Sequence, residues 1–571
     1  MIRLVVVGEP AVEGAHADHA DAAAGATGRH VAAPPRPRPL RTGTPTDLVA
    51  DGFARQARGV RVPVGPVVTA TDVAAVRAAL TAAASAGDAV GLVPADLVTH
   101  SSLLGDVLDD PRRPVAALVL DDDRLGALRL DAAAARKASA RLADVPAQAD
   151  LLDTVLDAVA TGGVPVARVT PGRLVVRRPG DAADARSAAY DALTATSEHT
   201  DRLAGVARPA DGLYSTLVVR RLSRPLTGVA VRLGASPNTV TLVSLVLGLA
   251  AAGLLTSPGV VPRVLGALLL QVSLVVDCVD GELARYTRRF TPLGAWLDGV
   301  GDRVKEYAVL AALAVAAGRA AADAPSGGTT ASGGWLLAVA AMVVMTYRHV
   351  ADHGFTERDR AGRPAPAAGL SPAGDAPRET VVVWLRRVLQ FPVGERWLVL
   401  SAVAAVAGPR AALVTFFWVG LASAVWTTGG RMLRALRWGG GTDRFGWLVP
   451  ALMWVGEGAV VAAAFRLQSP GEVWAGYVLL AVVAYHLYDS VYRAKYRVPG
   501  PPHATVRAGL GHQKRALLVV VLAVIAVPLP DGVLRAGTLV LAAWLVLVFG
   551  GESARAWRRW LRSRPRMEED G

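Results

Sequence analysis

The feature that most constrains this 571-residue chain is a series of apolar runs that starts near Asn238. Each run approaches the ~20 residues that cross a bilayer as an α-helix. The 52% share of hydrophobic residues and the mean hydropathy of +0.36 also exceed those of an ordinary soluble domain. We predict ten membrane spans, at about 238–257, 262–284, 293–318, 334–352, 394–408, 410–430, 446–465, 471–490, 515–528 and 533–551.

The residues ahead of these runs have a different pattern. From about 60 to 200, short β-branched runs alternate with Ala-rich helical runs, which is typical of an α/β layered domain. The stretch at about 10–60 is rich in Ala, Gly, Pro and Arg, and this composition predicts a flexible insertion. The predicted order is an α/β domain at 1–205, an amphipathic juxtamembrane helix at 206–237, a membrane domain at 238–435 and a further C-terminal membrane domain at 440–571.

The charge distribution predicts an orientation in the membrane. The net charge is +13, but the segments between spans hold Lys and Arg unevenly, 27 on one side and 5 on the other. Cytoplasmic loops carry the excess of Lys and Arg, so both termini and the Arg285 end of the second span are expected in the cytoplasm. A single cysteine, Cys278, excludes an intrachain disulfide and fits that compartment. We predict a multi-pass protein of the cell membrane with no nucleic-acid partner.

The segment 211–233 leads the chain towards the first span. Its apolar residues stand at helical spacing against four arginines, which predicts an amphipathic helix on the membrane surface. The four arginines are Arg220, Arg221, Arg224 and Arg232.

Four carboxylates lie in or near the second and third spans, within DCVDGELARYTRRFTPLGAWLDGVGD at 277–302. Asp277 and Asp280 are an i, i+3 pair on one predicted helix, while Asp298 and Asp302 are an i, i+4 pair on the next. The short turn between the helices makes them antiparallel neighbours, and small residues between the acids let the backbones approach. All four acids are therefore expected to converge.

Ionised groups inside a membrane are costly and by default functional. Four converging carboxylates repel one another unless cations neutralise them, and an all-oxygen site suits Mg²⁺ or Mn²⁺. We predict two such ions and a phosphate-bearing substrate. The alternative interpretation is a salt-bridged gate or an ion path in a transporter.

The spacing of these residues, D-x2-D-G-x2-A-R-x8-G-x3-D-x3-D, resembles the signature of the CDP-alcohol phosphotransferase (CDP-alcohol phosphatidyltransferase) family. The resemblance covers about 211–435 and includes SPNTVT at 236–241. It implies a six-helix membrane domain that opens to the cytoplasm, and a homodimer. All eight fixed positions match: Asp277, Asp280, Gly281, Ala284, Arg285, Gly294, Asp298 and Asp302.

The resemblance also implies roles for these residues. Asp277, Asp280 and Asp298 would ligate the metals, while Asp302 would complete the second metal site and act as the catalytic general base. The residues expected at the CDP moiety are Gly281, Ala284, Arg285 and Gly294 from the signature, with Asn238 and Thr241 at the first span. Equally, Pro237 and Asn238 could serve only to begin a helix.

Charged residues at the ends of the fourth and fifth spans are candidates for binding a phosphorylated acceptor. They are Arg348, His349, Glu395 and Arg396. The alternative is that they are interfacial charges that follow the positive-inside pattern. In the last four spans Glu457 and the group around Tyr485, Tyr488, Asp489, Tyr492 and Arg493 are unusual, but no role is predicted for them.

The front domain resembles a nucleotidyltransferase, with Asp96 as the acidic residue that follows a strand. No basic residue accompanies the glycines after the first strand, in VVVGEPAVEGAHADHA, although a phosphate-binding loop needs one. We therefore predict a degenerate or regulatory domain. The overall layout is similar to that of bifunctional inositol-phosphate cytidylyltransferase/di-inositol-phosphate-phosphate synthases.

Three functions are therefore considered. The leading one is metal-dependent transfer of a phosphatidyl group from CDP-diacylglycerol to an alcohol such as an inositol or glycerol phosphate, with release of CMP, in phospholipid biosynthesis. The second uses CDP-inositol as the donor and forms an inositol phosphodiester. The third, of another class, is a non-catalytic membrane scaffold or transporter.

Overall fold

The chain divides into two compact units. The structure, a computed structural model, describes residues 2–8, 64–109, 113, 115–144, 150–180, 182–206, 211–322, 331–362, 367–371, 381–437 and 444–563. The predicted insertion at about 10–60 lies outside these residues. The front unit comprises Met1–Ala207, Arg285–Arg288 and Pro364–Arg378, and the membrane unit comprises Arg208–Ala284, Arg289–Arg363 and Glu379–Gly571.

The front unit is built on a seven-stranded mixed sheet with the order β2-β1-β3-β6-β5-β7-β9. Strand β1 runs parallel to both of its neighbours, whereas β6 is antiparallel to β3 and to β5. Strands β4 and β8 form a separate pair. The strands are β1 (Ile2–Val7), β2 (Val64–Ala70), β3 (Ala89–Pro94), β4 (Val98–Thr99), β5 (Ala116–Val119), β6 (Leu125–Leu130), β7 (Pro165–Val169), β8 (Val176–Arg177) and β9 (Gly369–Leu370).

Helices cover this sheet, so the predicted α/β class is confirmed. Three of these helices begin at an Asp cap. For example, the carboxylate of Asp72 accepts from the backbone N–H of Ala75 at 2.7 Å, and Asp131 accepts in the same way from Ala134. Such caps satisfy donors that a helix start leaves free. The helices are α1 (Val73–Ala86), α2 (Ser101–Leu108), α3 (Ala132–Arg141), α4 (Leu151–Thr161), α5 (Ala183–Ala195) and α6 (Glu198–Gly205).

The membrane unit is helical. Its α-helices are α7 (Arg220–Arg232), α8 (Pro237–Thr256), α9 (Val260–Thr287), α10 (Pro292–Ala322), α11 (Ala331–Ala361), α12 (Val381–Leu389), α13 (Val393–Ala407), α14 (Pro409–Ala435), α15 (Val449–Gln468), α16 (Val473–Tyr496), α17 (His503–Ala508), α18 (Gly511–Ala526), α19 (Val533–Leu545) and α20 (Gly551–Ser563). A π-helical turn at Ser215–Val219 precedes α7, and another at Val546–Gly550 joins α19 to α20.

A helix occurs at each of the ten predicted spans, but fewer meet the demands of a membrane crossing. Among the described residues, seven helical segments are long and apolar enough by length and composition: 237–256, 260–287, 333–361, 409–435, 446–468, 503–526 and 533–562. The other three predicted spans correspond to α10, α13 and α16. Helix α13 has only 15 residues, and α10 and α16 carry several charged side chains.

The predicted amphipathic helix is present as α7, but one of its arginines differs from expectation. Arg220 is buried and donates to the carboxylate of Glu282 on α9 at 2.8 Å, so it does not lie at the surface. Ser223 and Thr227, also on the buried face, donate to the same carboxylate at 2.8 and 2.7 Å. The opposite face exposes Leu222, Leu226, Val229 and Leu233, an apolar stripe suited to a membrane surface.

Helix α10 runs through the centre of the membrane unit and positions the candidate site. Its Leu310 and Leu313 are fully buried in the main apolar core, together with Met342 of α11 and Phe416 of α14. An added Cβ at Gly248 of α8 would come within 2.7 Å of the Lys305 side chain. Glycine at this position therefore lets α8 and α10 approach with the lysine packed between them.

Candidate active site

The turn between α9 and α10 brings the signature residues of the two helices together. Arg288 adopts a left-handed backbone conformation, with φ of 56°, just after α9 ends. Thr291 then caps α10, since its hydroxyl accepts from the backbone N–H of Gly294 at 2.9 Å. Pro292 occupies the first helical position, where its missing N–H costs nothing. The helices are therefore adjacent and opposite in direction, as predicted.

Three of the four predicted acids form one group. Carboxylate oxygens of Asp277, Asp280 and Asp298 all lie within 4.8 Å of one another. Such closeness is unfavourable for three ionised carboxylates without a cation. Oxygen ligands at this spacing suit a hard divalent ion. Asp302, one helical turn beyond Asp298, is not part of this group.

Hydroxyl groups of α8 orient the acids of α9. Thr241 donates to Asp280 at 2.5 Å, and Ser244 donates to Asp277 at 2.7 Å. Thr241 was predicted from the sequence, whereas Ser244, one turn further along α8, was missed. Its position at i+3 from Thr241, on the same helix face, is the signal that indicates it.

Lys305 is a second site residue that the sequence interpretation missed. Its ammonium group lies 2.6 Å from Asp277 and 3.1 Å from Asp302, and it also donates to Ser244 at 2.8 Å. The side chain is only 3% exposed. Lys305 therefore bridges one acid of each predicted pair, Asp277 on α9 and Asp302 on α10. A cation at i+3 from Asp302 within an apolar helix was the available signal.

The residues predicted at the CDP moiety lie on α8, α9 and α10. A Cβ added to Gly294 would come within 2.8 Å of the Asn238 side-chain oxygen, so the glycine leaves room for that amide. Gly281 and Ala284 are half-buried on α9. Arg285, near the end of α9, donates to the backbone carbonyl of Val206. The structure thus brings Asn238 and Gly294 together.

The four residues predicted to bind the acceptor have different surroundings. Arg396 pairs with Glu306 at 3.0 Å, and Arg348 donates to the backbone carbonyl of Gln390. His349 stacks on Tyr488 with ring centroids 3.9 Å apart. The carboxylate of Glu395 accepts instead from the backbone N–H of Tyr214 at 3.1 Å, which fixes the start of the juxtamembrane segment.

Three nitrogen atoms of this group keep hydrogen-bonding capacity. The Nε atoms of Arg348 and Arg396 and the Nε2 atom of His349 are buried and have no hydrogen-bond partner among the described residues. Buried polar groups without partners are uncommon. These three nitrogen atoms are suited to form hydrogen bonds with a polar ligand, and the two arginine Nε–H groups can only donate.

In the front unit Asp96 is engaged. Its carboxylate pairs with Arg178 at 3.1 Å and accepts from the backbone N–H of Gly180 at 3.3 Å. Arg178 also pairs with Asp150. One guanidinium therefore neutralises both acids.

Fold and site define a polytopic membrane protein with a carboxylate-rich site between two adjacent helices. The model of the CDP-alcohol phosphatidyltransferase family matches residues 235–426, which confirms the predicted resemblance for this part of the chain. A second model, described as a family of unknown function (DUF5941), matches residues 373–571.

Curated proteins similar to the chain carry two kinds of name. "Bifunctional IPC transferase and DIPP synthase" from Aquifex aeolicus is 38% identical over 106 residues, which are 18% of this chain and 23% of that protein. Its namesake from Thermococcus kodakarensis is 37% identical over 106 residues, 19% and 23% of the two chains. "Archaetidylinositol phosphate synthase" from Aeropyrum pernix is 38% identical over 98 residues, 17% of this chain and 48% of that protein. The chain thus spans less than half the length of these relatives.

Proposed function

We propose that the membrane unit transfers a phosphatidyl group from CDP-diacylglycerol to a phosphorylated alcohol and releases CMP, as a step of phospholipid biosynthesis. The observation that carries this proposal is the grouping of Asp277, Asp280 and Asp298 within a domain of the CDP-alcohol phosphatidyltransferase family. We further propose that the protein is a homodimer of the cell membrane with its site open to the cytoplasm.

The donor set fits a hard divalent cation, because the three grouped carboxylates and Asp302 offer only oxygen. Asp277, Asp280 and Asp298 would hold Mg²⁺ or Mn²⁺, and Asp302 would complete the place of a second ion. When bound, the ions would neutralise the diphosphate and the charge that develops on the leaving CMP.

The protein's own residues supply orientation and proton transfer. Thr241 and Ser244 hold the carboxylates of α9 in place by hydrogen bonds. Asp302 acts as the general base that takes the proton of the acceptor hydroxyl, and Lys305 keeps its carboxylate beside Asp277. Asn238, with Gly281, Ala284, Arg285 and Gly294, lines the place of the cytidine diphosphate. Arg285 is suited to the diphosphate, since guanidinium groups bind phosphate oxygens by charge-assisted hydrogen bonds.

The acceptor carries a phosphate in this proposal. Arg348 and Arg396 each retain a buried Nε–H without a hydrogen-bond partner among the described residues, and guanidinium groups favour phosphate. His349 contributes a third unpartnered nitrogen. The name of the Aeropyrum pernix relative contains an inositol phosphate, which supports an inositol phosphate over glycerol phosphate as the acceptor.

A second candidate uses CDP-inositol as the donor and forms an inositol phosphodiester. The names of the Aquifex aeolicus and Thermococcus kodakarensis relatives favour it, together with the α/β front unit. The pairing of Asp96 with Arg178 argues against a front unit that makes its own CDP-inositol. A donor made by another protein would still allow this candidate.

The test is CMP release by the purified full-length protein with Mg²⁺ or Mn²⁺. CDP-diacylglycerol and CDP-inositol are each offered with inositol phosphate, glycerol phosphate and unphosphorylated inositol. CMP formed from CDP-diacylglycerol with a phosphorylated acceptor supports the leading proposal, while CMP formed only from CDP-inositol favours the second. If CMP release is no greater than that of the Asp302→Asn variant in every pairing, both transferase proposals are wrong and the non-catalytic scaffold or transporter is the remaining interpretation.

A further inference from the structure

Helix α16 of the C-terminal region lies against the helix that carries two of the site acids. Trp296 of α10, two residues before Asp298, donates from its indole N–H to Asp489 of α16 at 2.9 Å. These residues are 193 positions apart in the chain. Residue 489 also lies beyond 426, where the match to the CDP-alcohol phosphatidyltransferase model ends. A region outside the family domain therefore touches the catalytic helix.

A second contact places Tyr488 of α16 between two polar groups of the site. Its ring stacks on His349 at 3.9 Å between centroids. The guanidinium of Arg303, the neighbour of Asp302, lies 5.5 Å from the ring centroid, within range for a cation–π interaction. Tyr488 thus contacts His349 and Arg303, and the Arg303 guanidinium lies 4.0 Å from the proposed base Asp302.

The third contact involves Tyr492. Its hydroxyl occupies the space that a Cβ at Gly299 would need, so glycine next to Asp298 admits the phenol. The hydroxyl therefore approaches α10 directly at the residue that follows Asp298. Its ring also stacks towards His349, with centroids 6.3 Å apart. The phenol therefore packs against α10 next to Asp298 in the chain, on the side of His349.

The three contacts follow one face of α10. Trp296, Gly299 and Arg303 stand at i, i+3 and i+7 on α10 and share one face of that helix. Their respective partners Asp489, Tyr492 and Tyr488 lie within about one turn of α16. The three contacts therefore form a continuous packed interface along two turns of α10.

The tyrosines are held on a fixed support. Asp489 accepts from Ser553 of α20 at 3.0 Å as well as from Trp296. Arg493 pairs with Asp489 at 2.8 Å and with Glu552 at 2.7 Å. Side chains that are locked by such partners keep a defined geometry towards a ligand.

We propose that Tyr492 is a specificity-determining residue for the acceptor, supplied to the active site by the C-terminal region. The hydroxyl groups of α8 contact the α9 acids, whereas Tyr492 lies with His349 next to α10 at Gly299, the residue after Asp298. A phenol can both donate and accept a hydrogen bond, which suits an acceptor rich in hydroxyl groups, such as a cyclic polyol phosphate. The inference rests on the proposed function and assigns the C-terminal region a part in it.

The experiment compares the wild-type protein with Tyr492→Phe, Tyr492→Ala and the control Tyr496→Phe. Tyr496 lies on the same helix, one turn beyond Tyr492. Initial rates of CMP release are measured at varied acceptor with saturating donor, and at varied donor with saturating acceptor. Inositol phosphate and glycerol phosphate serve as the two acceptors.

Loss of one hydrogen bond is expected to raise the KM for inositol phosphate by about 3- to 10-fold in Tyr492→Phe. In Tyr492→Phe the KM for the donor should stay within about twofold of wild type, and the preference for inositol phosphate over glycerol phosphate should become smaller. In Tyr496→Phe the KM values for both substrates should stay within about twofold of wild type. Equal effects on both substrates, or none on the acceptor, would overturn the inference. Tyr492→Phe keeps the ring, so the comparison does not depend on Tyr492→Ala folding. Absence of CMP from the wild-type protein would instead overturn the proposed function.

Discussion

Replacement of Lys305 by methionine tests whether the buried ammonium holds the acidic site together. Methionine keeps much of the length of the side chain and removes the charge. Lys305 contacts Asp277 at 2.6 Å and Asp302 at 3.1 Å, and both acids are largely buried. Removal of one partner from a buried ion pair costs about 3–5 kcal/mol, because the remaining charge is left uncompensated. Lys305→Met is therefore expected to lower the free energy of unfolding by that amount.

The assay is reversible denaturation of the full-length protein in mixed micelles, followed by tryptophan fluorescence at pH 7 with a chelator present. Lys514→Met is the control, since Lys514 is exposed and most exposed substitutions change stability by less than about 0.5 kcal/mol. Addition of Asp302→Asn to Lys305→Met should recover about 1–3 kcal/mol relative to additivity, because it removes one of the uncompensated charges.

Excess Mg²⁺ should reduce the deficit of Lys305→Met, because the variant site lacks the ammonium charge and should bind the cation more tightly than the wild-type site does. A deficit as small as that of Lys514→Met would refute the reasoning. Strict additivity of the two substitutions would refute it as well, since it would mean that Lys305 and Asp302 do not interact.

Three further outcomes are expected. Glu282→Ala should destabilise the full chain by about 3–5 kcal/mol, because it leaves the buried Arg220 without this partner. Glu357→Ala, in the exposed pair with Arg360, should cost about 0–1 kcal/mol. Denaturation in mixed micelles measures both losses, and equal losses would contradict a structural role of the buried Arg220–Glu282 pair. Burial lowers the pKa of His100 below 6.5, although Glu198 and Asp201 act in the opposite direction; the unfolded chain then binds the proton more readily, so the front unit should lose stability as the pH falls below 6.5. Hydrogen exchange of residues 98–108 in the full chain at pH 5.5 and 7.5 should show this loss in the wild type and not in His100→Gln. Isothermal titration of the full chain with CTP should show no binding, because Arg178 neutralises Asp96 and Asp150; measurable binding would contradict a degenerate front domain.

The central site was predictable because its information is local. Asp277 and Asp280 share one helix, and Asp298 shares the next with Asp302, so intervals of three and four residues indicate which side chains share a face. The short turn between the helices then makes these faces neighbours. The spacing predicts convergence of all four acids, and three of them form the group that the structure shows, with Asp302 outside it.

Lys305 and Ser244 were not predicted because their contacts cross between helices. Lys305 interacts with Asp302 on its own helix, but its contacts with Asp277 and Ser244 depend on how α8, α9 and α10 pack. The hydropathy pattern alone shows Lys305 only as an isolated charge in an apolar helix and does not identify its partners. The predicted surface position of Arg220 was wrong for a related reason. Its buried partner, Glu282, lies 62 residues away in the sequence.

The contact of α16 with α10 is the clearest case of information that the sequence does not expose. Trp296 and Asp489 are 193 residues apart, and Asp489 and its neighbours stood out only as polar residues in an apolar helix. Glu457, another such residue, pairs with Arg515 at 2.6 Å. Polarity in a span indicates that a partner exists, but only the packing identifies it.

The measurement that tests the central claim most directly is product analysis of a single reaction. The full-length protein is incubated with CDP-diacylglycerol, inositol phosphate and Mg²⁺, and CMP and the lipid product are quantified by mass spectrometry. Group transfer predicts equal amounts of CMP and of a phosphatidyl-linked inositol phosphate, with both lost in Asp298→Asn and on chelation of the metal. CMP without the lipid product, or turnover that survives Asp298→Asn, would contradict it.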